Sequence, residues 1–172
     1  IIMIIIPSVF FVAYETSSYF KLRVDNTIQA ITTFNDNNYT SIGLRITYAI
    51  NSWELVKENP LIGVGTGDFP NSYKKINMSK TPNIPNTSNP HNMYVLVIVQ
   101  LGLLGLVSLM SIFYYQMKLS FYASNKFIRD VGITLPLLFL VLMWSDSYLL
   151  GHYTSLLFVF FSSFLYKYFE ES

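Results

Sequence analysis

Cysteine is absent from this 172-residue chain. That excludes a disulfide framework, thiol catalysis and Cys-ligated metals, and it leaves the redox compartment unread. Charge is scarce as well, at 12% of residues, where a soluble domain carries about 25%. With 11 Lys and Arg against 10 Asp and Glu, no concentrated positive field exists for nucleic acid. What fills the chain instead is apolar: 52% of all residues, with 14 Phe and 13 Tyr. Neither a soluble globular domain nor a disordered tail has that composition.

The few charges are segregated. Residues 15–80 carry seven basic and six acidic side chains, 81–117 carry none, and 131–166 carry Asp146 alone. A membrane span needs about 20 mostly apolar residues. Residues 93–117 meet this outright, and 131–147 and 152–168 are shorter candidates separated by Gly151. One long helix through 131–166, kinked at Pro136, is the competing reading. The opening stretch 1–14 is too short to span and reads as the end of a transmembrane helix that starts outside this sequence. The expected fold is all-α: a polytopic transmembrane helix bundle with a partly helical extracytoplasmic region over 15–91, and the C-terminal transmembrane helices within 92–172. Lys118, Lys126 and Arg129 put 118–130 in the cytoplasm, together with the C-terminal tail and its Lys167. Residues 15–91 then face outward.

Within that outer region, 42–58 has apolar residues at helical spacing, from Ile42 through Ile46, Ile50 and Trp53 to Val56. Ser41 suits the N-cap, and Asn59-Pro60 stops the helix. Lys21–Phe34 is a weaker helix pattern. Pro60-Leu-Ile-Gly63-Val-Gly65-Thr-Gly67 lacks the flanking strand and helix of a nucleotide-binding turn, and reads as a sharp turn returning the chain to the membrane. Residues 70–91, rich in Asn and Pro, read as irregular. Asn89-Pro90 suits an N-cap and first helical position, which places His91 in the first turn of the best span. The positive end of the helix dipole there disfavours an imidazolium and attracts phosphate.

The series Arg45, Trp53, Asn59-Pro60-Leu-Ile-Gly63-Val-Gly65, Phe69, His91-Asn92-x-Tyr94 and Gly102-x-x-Gly105 resembles the O-antigen ligase and O-antigen polymerase superfamily, bacterial C-type membrane glycosyltransferases. The resemblance covers about 60 residues, 45–105. It departs at Gln100, where many members carry Glu. It implies transfer or polymerisation of an undecaprenyl-diphosphate-linked glycan onto a glycan or lipid acceptor, as in capsule or O-antigen synthesis. The implied setting is a multi-pass protein at the outer face of the bacterial cytoplasmic membrane, with membrane lipids as surroundings, no nucleic-acid partner, no metal and no cofactor. The implied catalytic residues are His91 and Arg45, and the substrate contacts are Arg45 and Asn92. Arg is permanently charged and bidentate toward phosphate oxygens, so it suits the leaving diphosphate. A neutral His suits removal of the acceptor proton. The Ile-, Asn- and Tyr-rich style of an AT-rich genome, and the wider occurrence of polymerases, lean toward polymerase. A polysaccharide transporter or flippase, or a membrane-anchored sensor, is the alternative. The first would place ionisable residues inside the spans, and the second would carry an output domain.

Overall fold

The computed structural model describes residues 2–166. Lys167 and the last residues of the 152–168 candidate span lie outside the described residues. Every regular element among those described is helical. The chain divides into two compact units, Ile1–Thr47 and Tyr48–Ser172.

In the first unit, α1 (Ile2–Thr16) and α2 (Ser18–Thr32) are separated by Ser17, whose hydroxyl accepts from Phe20 N and caps α2. The pair is held by Phe10 against Phe20, ring centroids 5.3 Å apart, and by Tyr14 OH donating to Asp25 at 2.7 Å. The weak pattern at 21–34 is thus a full helix, starting three residues earlier than expected. α3 (Ser41–Glu58) begins in this unit and ends in the second. Its cap is Thr40 rather than Ser41, because Thr40 Oγ1 accepts from Gly43 N at 3.0 Å.

α3 buries only part of its apolar stripe, with Val56 inside and Ile42 and Ile46 half-buried. Ile50 and Trp53 are exposed, while Thr47, Asn51 and Ser52 are buried. The reason is a polar core beneath it. Asn51 Nδ2 donates to Tyr73 OH and Thr81 Oγ1, and Asn77 Nδ2 donates to Ile84 O and Asn86 Oδ1. Paired in this way, the Asn51 and Asn77 amides are buried without the desolvation cost of an orphan donor, whereas the buried Ser52 hydroxyl has no hydrogen-bond partner among the described residues. Burial raises the Tyr73 hydroxyl above its ordinary pKa, against the bond from Asn51.

The expectation of an irregular stretch over 70–91 is overturned for its first half. α4 (Phe69–Lys80) forms there, with Pro70 in its first turn, where the missing N–H costs nothing. Phe69 and Tyr73 are wholly buried and stacked 5.5 Å apart, and this burial overrides the poor helix propensity of the Asn-rich sequence. Asp68 precedes the helix. Its carboxyl lies below the usual range because Ser72 Oγ and Asn71 Nδ2 donate to it.

α5 (Met93–Phe121) and α6 (Lys126–Ser145) are long and apolar enough to cross a membrane. α7 (His152–Leu165) is a shorter apolar helix. Between α6 and α7 the chain breaks over 146–151, with a single 3₁₀ turn at Tyr148–Leu150. The two helices pack against each other through Phe139 and Phe158, 4.9 Å apart, and through Tyr166 OH donating to Gly132 O. Leu103, Leu104, Val107, Leu138 and Val141 are exposed on α5 and α6, the surface that lipid tails would cover.

α5 is broken. Gly102 takes φ 64° and ψ −162°, a conformation open essentially to glycine alone. A break strands backbone groups, which is costly where water is excluded. Here the loop after α3 supplies the partners. Val64 N and Gly65 N donate to Val99 O and Gln100 O, at 2.8 and 3.0 Å. Leu103 N and Leu104 N donate to Pro60 O and Leu61 O, at 2.9 and 3.2 Å. The expected turn of Pro60–Gly67 is therefore a clasp on the broken helix. Gln100 adds its side chain, accepting from Gly67 N at 2.9 Å.

Candidate functional site

His91 does not lie in the first turn of α5. Asn92 is the N-cap, extended at φ −157°, with its Oδ1 accepting from Val95 N at 3.1 Å. His91 precedes it in the left-handed region, at φ 55°. It is the non-glycine residue with positive φ among those described. Such a conformation is uncommon outside glycine and costs about 1–2 kcal/mol. Asn89 sustains it, its Oδ1 accepting from His91 N at 2.9 Å. Asn89 is thus a brace for His91 rather than the helix cap.

The geometry replaces the helix end with a carboxylate. His91 Nδ1 stands 3.2 Å from Asp146 Oδ1 and 3.4 Å from Oδ2. Asp146 closes α6, extended at φ −162°, and holds itself by accepting from Ser147 N at 2.7 Å. Ser147 Oγ in turn donates to Asn89 Oδ1 at 2.7 Å. On its other side the imidazole stacks on Tyr48, centroids 6.4 Å apart and planes 28° from parallel. Burial raises the Tyr48 hydroxyl above its ordinary pKa, so it stays protonated beside the ring. With Nδ1–H donating to Asp146, Nε2 carries the lone pair. Both side chains remain over one third exposed, at 38% and 37%, so the site is reachable. A His oriented by a carboxylate is a general base whose imidazolium is stabilised as it forms.

Asn92 spends both ends of its amide on structure: the oxygen caps α5 and Nδ2 donates to Trp144 O at 3.0 Å. It ties the start of α5 to the end of α6, beside the bond from Tyr94 OH to Leu140 O at 2.6 Å. Arg45 is exposed on the part of α3 that belongs to the first unit. In the same unit Arg23 bonds Tyr19 OH and lines a polar cleft of about 420 Å³ with Thr27, Gln29, Asn37 and Thr40. Sequence reasoning missed Asp146 as a partner of His91. The signal was there: it is the single charge in 131–166, placed where the apolar run breaks.

No curated protein matches the chain significantly. The family model described as O-antigen ligase matches residues 1–110, a stretch that holds Arg45, the glycine clasp and His91 and ends before Asp146. With that match over more than half of its length, the chain belongs to the O-antigen ligase family of membrane glycosyltransferases.

Proposed function

We propose that the protein transfers or polymerises an undecaprenyl-diphosphate-linked glycan at the outer face of the bacterial cytoplasmic membrane, as a multi-pass enzyme and as a polymerase ahead of a ligase. The observation that carries this reading is the His91–Asp146 pair, 3.2 Å apart at the head of the apolar helix α5. The acceptor hydroxyl oxygen attacks the anomeric carbon while the bond to the diphosphate breaks and its electron pair leaves with the diphosphate. The acceptor proton passes to His91 Nε2, and Asp146 balances the imidazolium. A single displacement of this kind inverts the anomeric centre. Arg45 takes the role of stabilising charge on the leaving diphosphate, and Asn92 holds the corner in place. The 146–151 connection lacks Lys and Arg, and 118–130 has three. That bias supports an outward-facing His91 and Asp146 and a cytoplasmic 118–130.

The test compares polymer or ligated product made in cells by the unaltered protein, Arg45→Lys and Arg45→Ala at matched expression. Arg45→Lys keeps charge but loses the planar fork, so it stays badly impaired, and Arg45→Ala loses more. Equal product from all three overturns the diphosphate role. Cysteine placed at Lys74, in a chain with none of its own, should react with a membrane-impermeant reagent added outside. Reaction only from the cytoplasmic side reverses the topology.

A further inference from the structure

The loop that clasps α5 presents apolar side chains where it meets the helix. Leu61 and Ile62 are 61% and 70% exposed, although they stand in the region read as outward-facing. No charge occurs from Asn59 to Gly67. Clasp and helix both belong to the second compact unit. Ile62 lines a groove of about 500 Å³ with Leu101, Leu104, Gly105, Ser108 and Ile112. Ser108 is the polar side chain of that lining, and its hydroxyl is spent on Leu104 O at 2.8 Å. A sugar or a phosphate would find no side-chain partner there, and its burial would cost its hydration. Leu101, Leu104 and Ile112 are exposed on a helix apolar enough to cross a membrane, so the groove continues the face that lipid tails cover. Depth points the same way. Leu104, whose N–H bonds Leu61 O, precedes Lys118 by 14 residues, or about 21 Å of helix. That is short of the roughly 30 Å hydrocarbon core, and the Lys118 stem can reach to the cytoplasmic boundary. The clasp therefore meets α5 at or below the outer edge of the core.

We infer that the clasp is a re-entrant loop: Leu61 and Ile62 sit among the acyl chains of the outer leaflet, and phospholipid acyl chains fill the groove between Ile62 and α5. The inference rests on α5 crossing the membrane and not on the transfer chemistry. It explains how the clasp is built. Irregular backbone survives at membrane depth only where protein covers it, because no water replaces a missing bond there. The loop turns its backbone inward, with Gly63 and Gly102 buried at the contact and the N–H groups of Val64, Gly65, Leu103 and Leu104 paired across it. Its two large apolar side chains are left facing outward, where hydrocarbon suits them and water does not.

Site-directed spin labelling tests this, because the chain has no cysteine of its own. The full chain carries one nitroxide at a time, at Ile62→Cys or Ser108→Cys, in vesicles of phosphatidylethanolamine and phosphatidylglycerol. Val107→Cys, exposed on α5, is the lipid reference, and Lys74→Cys, exposed on α4, is the aqueous one. Two relaxing agents are compared: oxygen, which concentrates in hydrocarbon, and a water-soluble nickel chelate, which is excluded from it. At Ile62 and Ser108 nickel collisions should fall at least about tenfold below those at Lys74, the scale set by excluding a polar solute from hydrocarbon. Oxygen collisions there should match those at Val107. Thermal unfolding shows whether a label disturbs the clasp, and Leu61→Cys repeats the reading where the label at Ile62 does. Nickel access at positions 61 and 62 equal to that at Lys74 puts the loop in water and overturns the inference. Low access to both agents means that protein, such as a second copy of the chain, covers the groove, and overturns it equally. Free nickel access at Val107 takes α5 out of the bilayer and overturns premise and inference together.

Discussion

The first segment of α5 is anchored at both ends, and the two anchors are built from opposite materials. At Gly102 the anchor is backbone: four N–H to carbonyl bonds between 60–65 and 99–104, made possible by missing side chains. A Cβ on Gly102 would stand 2.2 Å from Leu61 C, and one on Gly63 would stand 2.4 Å from Gln100 C. At His91 the anchor is almost wholly side chain, running through Asp146, Asn89, Ser147 and Asn92. Both anchors hold positive φ. The clasp gives those angles to glycine, which adopts them freely. The corner imposes one on a histidine and stores strain beside the reacting group, the usual place for it. The comparison teaches a division of labour. The clasp fixes the shape of a broken helix with nothing to titrate, and the corner uses that fixed helix end to aim one ring nitrogen.

The largest effect comes from breaking the corner at its chemistry. His91→Ala removes the base, and transfer should fall by about 10²–10⁴-fold. Asp146→Asn should fall within the same range, because an amide donating to Nδ1 moves the ring proton to Nε2 and removes the lone pair. Folding should survive in both, since neither residue belongs to the buried core. Product assays at matched expression, with thermal unfolding as control, check this. Near-normal product from Asp146→Asn would leave Asp146 without an orienting role.

The clasp should fail in the reverse sense, in stability before activity. Gly102→Ala meets backbone at 2.2 Å in a conformation reserved for glycine. A cost of about 3 kcal/mol or more is expected from strain and overpacking together. Gly65→Ala sharpens the point. Gly65 also has positive φ, at 110°, yet nothing lies within 4 Å of its missing Cβ. Its cost should be conformational alone, about 1–2 kcal/mol. Unfolding in detergent compares the two. Equal losses would mean that close approach adds nothing and the clasp is only a turn.

These two regions were unequally legible. The charge-free run 93–117 announces α5, but its break is invisible in Gly102-Leu-Leu-Gly105, because small residues in an apolar run also read as a helix-packing face. The matching glycine sits 39 positions earlier at Gly63, and one sequence does not say which glycines meet. His91 stood out by position, being polar at the mouth of a span. Its partner lies 55 residues on, and pairing over that distance is set by how α5 and α6 pack. α4 was missed because Asn and Pro argue against a helix locally, while burial of Phe69 and Tyr73 decides the matter globally. α3 was found, and what covers its apolar stripe was left open. The periodicity of Ile50 and Trp53 marks an apolar face and does not say whether protein or lipid covers it.

The smallest effect lies outside both anchors and measures what an ordinary surface pair contributes here. Glu54 accepts from Lys80 Nζ at 3.1 Å and from Lys57 Nζ at 3.2 Å. These bonds, Lys80's first, hold its carboxyl below the usual 4.5. A depressed folded value means that the pair stabilises the folded state above the unfolded pKa and loses that contribution as pH falls through the folded one. Glu54→Gln should therefore unfold at a slightly lower temperature near neutral pH, and should converge on the unaltered protein in acid. Because both lysines are exposed and Glu54 is only half-buried, screening at about 1 M salt should erase the difference at any pH. A gap that widens in acid would reverse the sign of the linkage. A gap that persists in high salt would mean that the Glu54 stem is packing against α4, and that this pair behaves more like the His91 corner than like a solvated surface contact.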